Sequence, residues 1–307
     1  MTGMVALEKM VMLVILMLVG YGASKAGWVD AKFNQAASRL VTNVFIAGTI
    51  AGSVMNVEPQ LAGRELLLAI AAIFLTFLTG GAVGWVVSRC LGLKGRDRNV
   101  AWLSIFFMNN VFVGFPVVEA IFGADAIFCA SLSNIPFNLL LYTVGVANLR
   151  AGEGRGRVKL REVFTVPLIA TFVAIFLFLT RLPVPTLIAD VAHTLGSATV
   201  PMSMLIIGIS LSGIPVKEAL GDWRAYVVSL ARLILCPILS WLVMGLFLPH
   251  DGITLGIYTV TAACPAAAMI TILSIRFGAD DSFASKINFL STVLCALTLP
   301  LVTFLLL

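Results

Sequence analysis

Residues 109–116 read Asn-Asn-Val-Phe-Val-Gly-Phe-Pro, and residues 262–266 read Ala-Ala-Cys-Pro-Ala. Proline removes one intrahelical hydrogen bond and its ring collides with the carbonyl four residues back. Each stretch is therefore expected to interrupt the helix that contains it, near Pro116 and Pro265. An interrupted helix exposes the N–H groups of its second half, which carry partial positive charge, and the open carbonyls of its first. Asn109, Asn110 and Gly114 lie beside the first break, where two amides and a pliable backbone can bind a carboxylate or a cation. An anionic solute fits the N-terminal ends. Glu119, one turn past Pro116, is placed either to carry a proton or a sodium ion or to snorkel to an interface.

A second kind of signal is polarity inside apolar runs. Arg232 stands in Ala231-Arg232-Leu233-Ile234-Leu235-Cys236-Pro237. Three roles compete for it: pairing with a substrate carboxylate, tying helix ends together through carbonyls, or pairing with Glu119, the tie being slightly preferred. Asn43, Asn134, Asn138, Ser53, Ser203 and Ser210 are uncharged groups in similar surroundings. Of these, Asn43 and Asn138 join the candidate substrate set.

Other chemistry is missing. The five cysteines have no close pairing, and His193 and His250 are far apart. Metal sites need Cys or His at short spacings, so no metal or cofactor is expected. There is no phosphate loop, lipase-type elbow or HExxH motif, and an enzyme is not expected.

These groups must be held by membrane helices. Of 307 residues, 60% are hydrophobic and only 11% charged, against about a quarter charged in soluble domains; a soluble enzyme is excluded. Cutting at charged residues leaves ten charge-free windows of 15 residues or more, each long enough with snorkelling ends to cross a hydrocarbon core of about 30 Å. Runs such as 66–78 do not alternate as barrel strands would, so an all-α fold of ten spans is expected. The first span is read as retained, since Met1 to Lys9 has no basic leader pattern.

Loops after the odd-numbered spans hold 16 of the 20 Lys and Arg residues. Basic residues stay in the cytoplasm during insertion, which places both termini outside. The net charge of +5 is thereby an orientation signal, and nucleic-acid binding is not expected. The basic segment 150–162 divides the chain into residues 1–149 (spans one to five) and 163–307 (spans six to ten).

The halves echo one another. Phe122-Gly123-Ala124-Asp125 followed by Ala130-Ser131 recurs as Phe277-Gly278-Ala279-Asp280 followed by Ala284-Ser285. The first closes span four outside and the second closes span nine inside, so two inverted five-helix repeats are expected, with interrupted spans four and nine in corresponding places. Paired interrupted segments of this kind point to a transporter's binding site.

With these residues in view, the chain resembles the auxin efflux carrier family of PIN-like transporters, particularly short prokaryotic members that include malonate and other organic-acid permeases. The resemblance covers nearly the whole chain. It rests most on Asn109 through Pro116 with Phe122-Gly123, then on Met202 to Gly208, Arg232 with Pro237, Pro265, and Leu299-Pro300-Leu301. It implies a scaffold part and a transport part, with spans four and nine crossing at their prolines. The substrate carboxylate lies beside that crossing, which carries over Asn109, Pro116 and Pro265. The family often has a proline in span two where this chain has Ala47, and three alanines follow Pro265. Those departures disfavour auxin and favour a small organic acid such as malonate.

The expectation is a secondary carrier of a small organic anion in a bacterial inner membrane. Its candidate site is Asn43, Asn109, Asn110, Gly114, Pro116, Asn138, Arg232 and Pro265, with Glu119 for ion coupling. Expected partners are the anion and the lipid bilayer; proton or sodium coupling and a homodimer are left open. The alternatives are a sodium- or proton-coupled symporter of the bile-acid type and a non-transporting membrane sensor or assembly subunit.

Overall fold

The computed structural model describes residues 3–55, 63–149, 163–213, 220–249 and 252–306. The basic segment 150–162 and His250 lie outside them. Every named element is helical: α1 (Gly3–Lys25), α2 (Ala31–Leu40), α3 (Ile46–Gly52), α4 (Gly63–Cys90), α5 (Gly95–Phe106), α6 (Phe115–Phe122), α7 (Ala126–Ser131), α8 (Asn134–Leu140), α9 (Val146–Leu149), α10 (Val166–Thr180), α11 (Thr186–Ser197), α12 (Thr199–Ser212), α13 (Trp223–Leu230), α14 (Cys236–Gly245), α15 (Ile253–Ala262), α16 (Ala268–Phe277) and α17 (Asp281–Leu306). Wider π turns at Val41–Phe45, Asn110–Gly114, Leu141–Gly145 and Ala231–Leu235 interrupt the helical runs.

Five helical segments, two of them running through such turns, are long and apolar enough to cross a membrane: Arg64–Cys90, Ala126–Leu149, Thr186–Ser212, Trp223–Gly245 and Asp281–Leu306. Shorter apolar helices accompany them, among them Val166–Thr180, Ile253–Ala262 and Ala268–Phe277. Leu67, Phe176, Leu242, Leu297 and Phe304 are large apolar side chains left exposed. Water would make such a surface costly, whereas hydrocarbon does not; the chain is a multi-pass membrane protein.

Local chemistry sets the ends of these helices. Asp30 Oδ1 accepts from Phe33 N–H at 2.8 Å and starts α2, and Thr165 Oγ1 accepts from Leu168 N–H to start α10, as N-cap residues do. The sequence echo has a local meaning of the same kind. Gly123 (φ 90°) follows α6 and Gly278 (φ 65°) follows α16, positive angles that glycine adopts without steric penalty. Asp280 then accepts from Phe283 N–H at 2.8 Å as the next helix begins.

The chain divides into two compact units, each drawn from both sequence halves. The first holds Met1–Ile70, Val111–Ile135 and Thr165–Gly213. Here α1 and α12 pack so closely that glycine is required on both. A Cβ on Gly20 would stand 2.2 Å from the Leu205 carbonyl oxygen, and one on Gly208 would stand 1.9 Å from that of Met17. Small residues allow this approach between membrane helices, where packing rather than water exclusion drives association. Nearby, Thr49 on α3 pairs its hydroxyl with that of Thr199 at 2.7 Å. Asn134 donates to Thr171 Oγ1 at 3.2 Å, and Thr171 donates back to the Pro167 carbonyl at 2.8 Å.

The second unit holds Ala71–Asn110, Pro136–Phe164 and Ile214–Leu307. Its core is aromatic on one side. Phe106 and Phe107 stack at 4.5 Å, Phe77 and Phe137 meet Phe107 at tilted or edge geometry, and Trp102 Nε1–H donates to the Gly81 carbonyl at 2.8 Å. At one end Asp222 caps α13 and pairs with Arg224 at 2.9 Å. That pairing holds the Asp222 carboxyl below the usual carboxylate range. Arg224 also reaches Asp97 of α5 at 3.6 Å.

Replacing Gly20 or Gly208 with valine should lower the melting temperature of the purified protein strongly, because the added carbons meet backbone that cannot turn aside. Gly22→Val, whose Cβ meets nothing within 4 Å, is the control. Equal melting temperatures for all three variants would refute the tight α1–α12 contact.

Candidate functional site

The second unit contains two helix breaks that repair one another. After α5 the chain turns extended at Phe107 (φ −100°, ψ 121°), and between α15 and α16 residues 263–267 form a second non-helical passage. Met108 and Ala266 make an antiparallel bridge. Asn109 N–H donates to the Pro265 carbonyl at 2.8 Å, and Ala267 N–H donates to the Phe107 carbonyl at 2.9 Å. Ala266 N–H donates to Ser291 Oγ on α17 at 3.2 Å. Backbone groups that lose helical partners inside a bilayer must find others, and each break here supplies those of its counterpart.

Arg232 completes the repair. It is 1% exposed and sits in the π turn Ala231–Leu235, where Cys236 N–H reaches back five residues to the Ala231 carbonyl. Pro237, just beyond, has no N–H to offer the Leu233 carbonyl in an α pattern. From this turn the guanidinium donates to the carbonyls of Cys264 (3.1 Å), Ile105 (2.9 Å) and Ala262 (2.5 Å). Ile105 lies in the last turn of α5, Ala262 ends α15, and Cys264 is in the gap, so Arg232 holds carbonyls left open by helix C-termini. Of its three competing roles, the structure shows the tie between helix ends. Gly80 lies against the same helix end, where a Cβ would stand 3.3 Å from the Phe106 carbonyl oxygen. No acidic side chain among the described residues forms an ion pair with Arg232.

The first break sits earlier than its proline suggests. The unwound segment is Phe107–Asn109, while Asn110–Gly114 is a π turn and Pro116 lies in the first turn of α6. The helical run continues from the π turn through Pro116 as Asn110–Phe122, the wider turn accommodating the proline's missing N–H as the one before Pro237 does. Gly114 is right-handed helical (φ −61°, ψ −50°), so it does not serve an unwound turn. Pro265 does lie in the second break.

Asn109 and Pro265 thus meet through the backbone, with Arg232 bonded to the carbonyl of neighbouring Cys264. Asn110 and Asn138, also in the second unit, are buried at 1% and 3% exposure. In the first unit Gly114 and Pro116 are buried, Glu119 is half-buried, and Asn43 is exposed on its π turn. Glu119 Oε2 is itself buried with no hydrogen-bond partner. Ser291, which receives the Ala266 N–H, was outside the candidate set; serine in an apolar span gives little signal unless the facing break is known.

A family model for membrane transport proteins matches residues 5–158 and 153–303. The chain belongs to this family. It is the auxin efflux carrier family that the sequence resembles. A relative from Methanothermobacter thermautotrophicus, named an uncharacterized transporter, is 26% identical over 299 residues covering 96% of both chains. Another of the same description, from Methanocaldococcus jannaschii, is 25% identical over 308 residues covering 97% of this chain and 98% of its own. Like other members of the auxin efflux carrier family, this protein is a membrane transporter and a non-enzymatic carrier.

Arg232→Lys should destabilise the protein by about 3 kcal/mol or more, since one ammonium cannot reproduce a planar fork over three carbonyls and a stranded buried acceptor costs about 1–3 kcal/mol. Thermal unfolding of the purified variant measures this. A wild-type melting temperature would show that the three carbonyls need no donor.

Proposed function

We propose that the chain is a secondary carrier of a small organic anion, such as malonate or another carboxylate, across the cytoplasmic membrane. The substrate carboxylate binds beside the crossing of spans four and nine. The chain is read as ten spans in two inverted five-helix repeats, residues 1–149 and 163–307 about the basic linker 150–162, with both termini outside. Transport follows from motion of the crossing region against a scaffold.

One observation carries this reading: the paired breaks Phe107–Asn109 and 263–267 lie beside a buried guanidinium whose bonds all go to neutral carbonyls. Carbonyl dipoles solvate that cation but leave its net charge, and a charge within a bilayer favours an opposite one nearby. The uncapped start of α16, whose N-cap Ala267 makes no side-chain bond, adds partial positive charge of the same sign. Asn109, Asn110 and Asn138 supply neutral amides on the same unit, and Gly114 and Pro116 set the wide turn that follows.

A second reading, a proton- or sodium-coupled symporter, is favoured by the unpartnered Glu119 Oε2. A buried carboxylate oxygen without a donor is a place for a proton or a small cation.

Uptake of labelled malonate and a panel of other carboxylates into proteoliposomes, with and without sodium or pH gradients, tests both. Saturable uptake of at least one carboxylate is expected, and silence across the panel overturns the anion reading. Asn109→Ala should raise the KM roughly tenfold, the worth of one hydrogen bond to a charged group, without loss of folded protein; an unchanged KM removes its side chain from the site. Glu119→Gln should abolish any dependence on the pH or sodium gradient, and a gradient effect that survives it excludes Glu119 as the coupling group.

A further inference from the structure

One face of α4 runs from apolar to charged. Leu78, Ala82, Trp85 and Arg89 follow one another at spacings of four, three and four, which keeps them on a single helical face, and all four are exposed. Leu78 is 57% and Trp85 51% exposed, a surface that suits hydrocarbon rather than water. Eleven positions separate Leu78 from Arg89, roughly 16 Å of helix. That is about half the hydrocarbon core of a bilayer, the depth of one leaflet's acyl chains. Arg89 stands at the end of the span Arg64–Cys90, where headgroups begin.

The charge at this end is unanswered. The Arg89 guanidinium lies over the Trp85 ring, 4.1 Å from its centroid, a contact that directs the cation without neutralising it. The chain then turns through residues 91–94, with Gly92 at φ 66° and Leu93 buried, and α5 returns against α4. A Cβ on Gly84 would stand 2.8 Å from the Trp102 carbonyl oxygen, one on Gly81 would stand 3.3 Å from the Phe106 ring, and Trp102 Nε1–H reaches the Gly81 carbonyl. One turn nearer the loop, this register sets Arg98 across from Ser88, the neighbour of Arg89. Lys94 lies in the loop that joins them. Arg89, Lys94 and Arg98 are exposed, and among the described residues none of the three forms an ion pair.

The other charges of this hairpin are engaged. Asp97 pairs with Arg224 at 3.6 Å, and Arg96 donates to the Gly278 carbonyl at 2.6 Å. Arg224 supplies the comparison: it too lies over an aromatic ring, that of Phe283 at 5.2 Å, but Asp222 and Asp97 balance its charge. Arg89 has the ring without the carboxylates.

We propose that the end of the α4–α5 hairpin binds an anionic phospholipid, with its phosphate among Arg89, Lys94 and Arg98 and an acyl chain along Leu78, Ala82 and Trp85. Three cations ask for negative charge and the stripe beside them asks for hydrocarbon. A free phosphate or an acidic peptide answers the first demand and leaves the second; an anionic lipid answers both. Tryptophan rings sit at headgroup depth, and basic residues clustered at the end of a spanning helix attract anionic headgroups. The site does not depend on which solute the protein carries.

The experiment uses the purified full chain in phosphatidylcholine bilayers, titrated with brominated phosphatidylglycerol or, as the reference, brominated phosphatidylcholine. Bromine quenches the fluorescence of tryptophans it touches, and the share due to Trp85 is the difference from a matched Trp85→Phe protein. Phosphatidylglycerol should be preferred at Trp85. Arg89→Gln and Arg98→Gln should each lower that preference roughly fivefold, the worth of one basic residue near a lipid surface. Lys32→Gln, the same charge change at an exposed position on α2, should leave it unaltered. Lys94→Gln carries the test if either arginine variant yields no folded protein. Equal affinity for the two lipids, or a fall no larger than that of Lys32→Gln, overturns the proposal. So does displacement of the brominated lipid by inorganic phosphate at constant ionic strength, which would make the place a site for a free anion.

Discussion

Inside a bilayer a backbone N–H or carbonyl without a partner costs several kcal/mol, and the centre of the second unit is arranged around that cost. Two helices stop in mid-course. Their open groups are matched by a two-residue antiparallel pairing through Phe107, Asn109, Pro265 and Ala267, by Ser291, and by the guanidinium of Arg232 over three carbonyls. Unwound backbone at membrane depth is tolerated only where protein or a cavity surrounds it. Here the surroundings include a buried cation, and it is this cation that gives the region its electrostatic sign.

The same constraint explains why a costly arginine is placed there. A lysine would bring one point of donation, whereas a fork reaches carbonyls on separate chain segments at once. The π turn at Ala231–Leu235 and Pro237 aim the side chain. The charge therefore serves two ends: it closes open helix termini, and it leaves a net positive field beside them. Removing it would damage the fold and the field together, so substrate recognition is better probed at Asn109 than at Arg232.

Much of this was legible in the residues. Charge-free windows declared membrane helices, Pro265 marked one break correctly, and Arg232 announced itself as a cation set deep inside an apolar run. Pro116 misplaced the other break by about two turns, because the π turn before it lets the helical run Asn110–Phe122 pass through the proline without breaking. Phe107 and Met108 carried no signal at all: ordinary apolar residues become extended there only because a distant segment pairs with them. Asn43 illustrates a further limit. Its amide is visible in the sequence, but which face of the helix it occupies depends on packing, and the fold leaves it exposed. Ser291 was silent for the complementary reason, since a small polar residue acquires meaning only from what stands opposite.

The bridge between Met108 and Ala266 also bears on how the protein is made. Asn109 leaves the ribosome roughly half a chain before Pro265, and contacts so distant in sequence form late because a long loop must first be closed. Until then the N–H and carbonyl groups around Phe107 have to be sheltered by water, by the insertion machinery or by a provisional continuous helix. The emerging segment around Phe107 is thus expected to pass through a conformer unlike its mature one, and a truncated chain ending before Pro265 would be trapped in it.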